Sequence, residues 1–142
     1  MRTYKHVIES GFNVIQWREG NAVGFYKEGQ DLYSEAMATG EVVMLTQGEI
    51  DAIDKEATRL TAKQVRDSAL NAMTYTFSDG REIQTRLIDQ ALIMGAINRG
   101  GDEWILADDT LAQVTAEELA EALLAAEEKV SIIFDAYKDA IR

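Results

Sequence analysis

Apolar residues change their spacing several times along the chain, and each change marks a new element. Residues 3–8, 12–17 and 22–27 are rich in β-branched and aromatic side chains and are separated by Ser10-Gly11 and Glu19-Gly20-Asn21. That pattern predicts a meander of three short strands. A loop or single helical turn is expected over 31–38, followed by a fourth strand over 41–45. Thr46 and Glu49 then stand in capping-box spacing, where a hydroxyl and a carboxylate each satisfy an orphan backbone donor. Behind them Ile50, Ile53, Ala57 and Leu60 fall at helical intervals, and the stripe shifts to Val65, Ala69 and Ala72. This predicts a helix over about 47–72, kinked or interrupted near Thr61, with a thin alanine-rich face suited to a connector.

The second half carries the stronger signals. Residues 75–77 and 82–85 flank Ser78-Asp79-Gly80, a β-hairpin whose Asp-Gly supplies the positive backbone angle of a tight turn. Leu87, Ile88, Ala91, Leu92, Met94 and Ala96 form a largely apolar helix that stops at Asn98-Arg99-Gly100-Gly101. A second hairpin is expected from 104–107 and 111–114 around Asp108-Asp109-Thr110. A second capping box, Thr115 with Glu118, opens the last helix. Along it Leu119, Leu123, Ala126, Val130, Ile133, Tyr137 and Ile141 repeat at intervals of mostly four and three. Such a helix is about 40 Å long and carries an a/d stripe over about three heptads. Two readings stand side by side: the stripe packs on the preceding hairpins and helix, or part of it zips against identical helices in an oligomer such as a trimer. The expected fold is α+β, with a small antiparallel β module over 1–46, a connecting helix over 47–73 and an α+β domain over 74–142.

Composition narrows what this architecture does. The 142 residues, 46% of them hydrophobic, suffice for one core without staples, and with no cysteine there are no disulfides or thiolate sites. The N-terminus lacks the apolar stretch of a secretory leader, and no run of 18–20 apolar residues is present to span a membrane. The net charge of −11 is uneven: residues 102–142 hold 11 acids and 3 bases. Such a surface repels phosphate backbones, so nucleic acid is not an expected partner. A solvated helix face is the plainest account of that charge; a basic partner or mimicry of DNA are the others.

No catalytic, cofactor or metal residues are predicted. His6 is the lone histidine, expected at a surface or strand edge, with no second histidine or cysteine to join it as a ligand or base. The acid pairs Asp108-Asp109, Glu117-Glu118 and Glu127-Glu128 are sequence neighbours whose side chains diverge, so they cannot share a proton. Gly100-Gly101 lacks a phosphate-binding fingerprint. The candidate residues are therefore contact residues: Trp17 and Trp104 as aromatic anchors, with Val130, Ile133 and Tyr137 on the terminal stripe.

A resemblance adds context. The run Tyr75-x-Phe77-x-Asp79-Gly80, then Glu103-Trp104-Ile105-x-Ala107-Asp108-Asp109-Thr110, then Val114-Thr115-Ala116-Glu117-Glu118-Leu119 and the closing Phe134-Asp135-Ala136-x-Lys138-x-Ala140-Ile141 resembles an uncharacterised domain of tailed bacteriophages and prophages, encoded among or beside tail-fibre genes. In the first half, Leu32-Tyr33-Ser34-Glu35-Ala36, Gly40-Glu41-Val42 and Leu45-Thr46-x-x-Glu49-Ile50 look like the small N-terminal modules of phage tail accessory proteins. The resemblance implies a tail-fibre-associated role, as either a virion component or an assembly chaperone, and carries over no catalytic residue; with no catalytic set in the sequence, an enzyme is not expected. The protein would contact a fibre or baseplate protein, in the virion tail or in the host cytoplasm during assembly. The alternative function is an acidic inhibitor that mimics DNA to block a host defence or nucleic-acid enzyme.

Overall fold

Twelve elements follow from these patterns in a computed structural model that describes residues 2–39 and 42–142. They form two compact units, one ending at Ala57 and the other beginning at Thr58.

In the first unit β1 (Thr3–Glu9), β2 (Phe12–Glu19) and β3 (Ala22–Lys27) make the antiparallel meander, with Tyr4 opposite Trp17 and Trp17 opposite Gly24. The glycine is dictated by the neighbouring ring. A Cβ at Gly24 would lie 2.4 Å from the Trp17 indole, so only glycine lets Trp17 lie flat across β3. Three expectations need correction here, for residues 31–38, for the fourth strand and for His6. Residues 31–38 are neither loop nor single turn but the two-turn helix α1 (Asp31–Ala38), and the fourth strand is only β4 (Val42–Val43), paired parallel to β1. The helix carries the chain back across the sheet, and a return of that kind delivers the next strand parallel. Glu41, the expected start of this strand, lies outside the described residues. The strand order β3-β2-β1-β4 makes β1 an inner strand. His6 is accordingly buried, not at an edge or surface: its Nε2 donates to Asn13 Oδ1 at 3.0 Å, and Asn13 Nδ2 donates to Glu28 at 2.8 Å.

The long helix α2 (Gln47–Asn71) runs unbroken through Thr61, without the interruption its shifting stripe suggested. Its capping box forms as expected: Glu49 N donates to Thr46 Oγ1 at 3.2 Å and Thr46 N to the Glu49 carboxylate at 2.8 Å. The bond from the Thr46 backbone N–H, with a smaller contribution from the Thr46 hydroxyl, holds the Glu49 carboxyl below its ordinary range.

The second unit holds the larger core. Hairpin β5 (Thr74–Thr76) and β6 (Glu82–Gln84) precedes helix α3 (Leu87–Asn98), hairpin β7 (Gly101–Ile105) and β8 (Leu111–Thr115), and helix α4 (Ala116–Ile141). β7 starts at Gly101, three residues earlier than the apolar pattern suggests, because Gly101 adopts a positive φ of 108° that turns the chain straight from helix to strand. Its missing side chain also matters, since a Cβ there would sit 2.7 Å from the Val114 carbonyl. Phe77, Ile83, Ile93, Ala96, Leu106, Val114, Leu119 and Ala122 close into one cluster. A smaller one joins Leu70, Met73 and Ala126, with Val130, Ile133 and Phe134 packed against it.

Arg81 ties the hairpins to α4. Its Nε donates to Asp79 at 2.6 Å and its Nη1 to the Gln113 carbonyl at 2.9 Å, Nη2 pairs with Glu118, and the guanidinium stacks on Phe77 at 5.2 Å. Glu118 is also the carboxylate that caps α4, accepting from Thr115 N at 3.0 Å. The hairpin turn and the helix start are thus fixed by one side chain.

Candidate functional site

Helix α3 has no polar face. Asp89, Gln90 and Asn98 are its only polar residues, and a helix apolar all round normally lies inside a core. Here only one side does. Ile93 and Ala96 are fully buried, while Ile88 is 73% and Leu92 63% exposed, and Leu87 and Met94 are exposed as well.

Leu92, alone of those four exposed residues, borders a groove of about 480 Å³, while Leu87 and Ile88 line a separate pocket with Leu70. Ala91, Leu92, Gly95 and Arg99 line it from α3, spaced so that they follow a single helix face. The other wall is residues 102–106 of β7 and its continuation, with Asp109 at the end. Five successive residues of an extended segment can border one groove only when it runs along the strand's edge, because side chains alternate between faces. Among the described residues β7 pairs with β8 alone, so its second edge has no strand partner until just past its end, where Ala107 N donates to the Glu82 carbonyl at 2.8 Å. Trp104, half-buried, rests on the core cluster beneath and presents to the groove above. Gly95 keeps the space open: an added Cβ would approach the Arg99 guanidinium to 3.3 Å.

The rim is acidic. Asp89 is held by the Arg86 guanidinium through hydrogen bonds of 2.7 and 3.0 Å and by the Arg86 backbone N–H at 3.0 Å, and Asp102 by Arg99 at 2.5 Å. The Arg99 bond pulls the Asp102 carboxyl below its ordinary range, and the bonds from Thr110 do the same for Asp108. Among the described residues no hydrogen bond or ion pair engages the carboxylates of Glu103 or Asp109.

The five expected contact residues are dispersed. Trp17 sits half-buried in β2 of the first unit, under the Arg2 guanidinium at 4.6 Å and beside Tyr26 at 6.3 Å. Val130 and Ile133 pack on the Leu70–Met73–Ala126 cluster. Tyr137 is capped by Arg66 at 4.6 Å, and the same guanidinium reaches Phe134 at 5.7 Å. Trp104 alone faces the groove. Leu92, Gly95, Arg99 and Glu103 escaped the sequence reading, although a helix without a polar face in so small a domain was a usable signal.

Among the described residues, no three of His, Cys, Asp and Glu converge as a metal site, and no helix is long and apolar enough to cross a membrane. No curated protein and no solved structure gives a significant match to the chain. Residues 51–141 match the model of a family described as a domain of unknown function, DUF4376, over α3, both hairpins, α4 and most of α2. The chain, matched over well more than half its length, belongs to that DUF4376 family.

Proposed function

We propose that this protein works by contact, as a tail-fibre-associated component or assembly chaperone of a tailed phage, using the groove beside α3 as its contact surface. The uncovered apolar side of α3 carries the reading. Leu87, Ile88, Leu92 and Met94 on one helix, joined by Ile105 on β7, concentrate exposed apolar surface where a monomer would scatter it. Of these, Leu92 and Ile105 share the groove with the half-buried Trp104, and a tryptophan so placed is a common anchor in protein interfaces. The fibre context rests on the resemblance of residues 75–142, which are also the residues that build this groove.

The DNA-mimic reading fares less well on the arrangement of charge. Asp135 and Asp139 on α4 pair with Lys138 and Arg142, Glu118 pairs with Arg81, and Glu121 accepts from Tyr75 at 2.6 Å. Acids matched locally do not present the unbroken negative row of a phosphate backbone.

The test is co-expression with the C-terminal region of a tail fibre from the same phage, followed by affinity purification of the fibre. Co-elution of the wild type, and its loss in Leu92→Asp with an unchanged melting temperature, is the expected result. Absence of the protein both from that eluate and from purified virions would end the fibre reading.

A further inference from the structure

The groove also bears on the kind of partner it takes, an inference that rests on the contact reading above. We propose that it receives a cationic peptide segment of the partner, with an apolar side chain seated between Leu92, Gly95 and Trp104 and flanking Lys or Arg side chains held by Glu103 and Asp109.

Three features point the same way. The centre is apolar and floored by an indole, which favours an aliphatic or aromatic side chain and stacks well with a guanidinium. The charged groups of the lining are Asp89, Asp102, Glu103, Asp109 and Arg99. Arg86 and Arg99 already satisfy Asp89 and Asp102, so Glu103 and Asp109 are the carboxylates left to meet an incoming cation. The free edge of β7 adds main-chain donors and acceptors along the same line, suited to an extended segment.

The same charges argue against a second copy as occupant. Another chain brings its own acidic rim and its own net charge of −11, so two grooves facing each other would set like charges together. A basic segment has the complementary sign.

The two tryptophans give a direct readout, since Trp104 lines the groove and Trp17 belongs to the other unit. In nitrogen-15-labelled full-length protein, the capped pentapeptide Lys-Leu-Phe-Leu-Lys is titrated in low salt, with Glu-Leu-Phe-Leu-Glu as control. The expected result is a saturable shift of the Trp104 indole signal with the basic peptide, a still Trp17 signal, and at least tenfold weaker binding of the acidic peptide. Glu103→Gln with Asp109→Asn should weaken the basic peptide about tenfold and flatten its salt dependence. Both changes are at exposed sites, and asparagine tolerates the positive φ of 63° at Asp109. Equal binding of the two peptides, no shift of Trp104 with either, or wild-type affinity in the double variant would each overturn the proposal. So would a Trp104 shift that depends on protein concentration alone, which would assign the groove to a second copy. The two readings fail separately: a fibre that co-elutes through Leu92 while the basic peptide does not bind leaves contact standing and removes the cationic segment. A peptide that binds while the fibre does not co-elute leaves the cationic-segment groove standing and removes the fibre as its partner.

Discussion

The two main helices of the second unit treat their apolar residues in opposite ways. α4 has a clear polar side, and its apolar ribbon is covered by its own chain: Leu119, Ala122 and Ala126 are buried, and Val130 and Ile133 pack on Leu70 and Met73. α3 has almost no polar side, and half of it faces outward. An amphipathic stripe therefore marks what the fold itself uses. Apolar residues on the side that a small domain has no further element to cover mark what is left for a partner.

Adjacent residues on α3 break this contrast most sharply. Ile93→Asp buries an unpaired charge and should cost about 4 kcal/mol or more, a large share of the roughly 5–15 kcal/mol that holds an ordinary domain folded. Leu92→Asp, one position along, should stay within about 0.5 kcal/mol of wild type in chemical denaturation. Equal losses would mean that α3 has no outward side. Along α4, Val130→Asp and Ile133→Asp should each cost about 2 kcal/mol, because the sites are half-buried and the carboxylate keeps some water. A melting temperature unmoved by either change would place the distal ribbon in solvent.

Glycines refine the comparison at smaller scale. Gly101→Ala should destabilise by about 1–3 kcal/mol, since a side chain meets the Val114 carbonyl in a backbone conformation it disfavours. Gly95→Ala should stabilise by up to about 1 kcal/mol, because alanine is the better helix former and only the flexible end of Arg99 must give. If the groove needs the space at Gly95, that gain comes with weaker binding.

The smallest effect is on pH. Asp79, Asp102 and Asp108 are held below the ordinary carboxyl range, chiefly by bonds from Arg81, Arg99 and Thr110 respectively. Lowered folded values mean stability that is present above the unfolded carboxyl range near pH 4 and lost as pH falls through them. The melting temperature should therefore fall below about pH 4. Arg81→Ala should lower it by a few degrees at pH 7 and shallow the acid slope, which scanning calorimetry at several pH values would read.

Much of the fold was legible because its signals are local. Thr46 with Glu49, Thr115 with Glu118, and Asp79-Gly80 are chemistry written within four residues, and each forms as its spacing dictates. α1 was read as no more than a loop or single turn because Gln30 gives it no side-chain cap and its eight residues make only about two turns. β4 joins parallel for a reason that lies in the return of the chain, not in its two residues. Trp104 could be singled out by type alone. The missing polar face of α3 hinted at an uncovered side, but Leu92, Gly95 and Glu103 could not be picked out individually, because which part of α3 is covered depends on the elements around it, which no window of sequence contains.

Hydrogen exchange of the 142-residue protein, with and without the co-expressed fibre region, tests the central claim most directly. Binding should slow exchange in residues 87–106, where α3 and β7 border the groove, and leave β1 to β3 unchanged. Protection confined to β1–β3 or to the distal half of α4, with none at α3, would contradict the account.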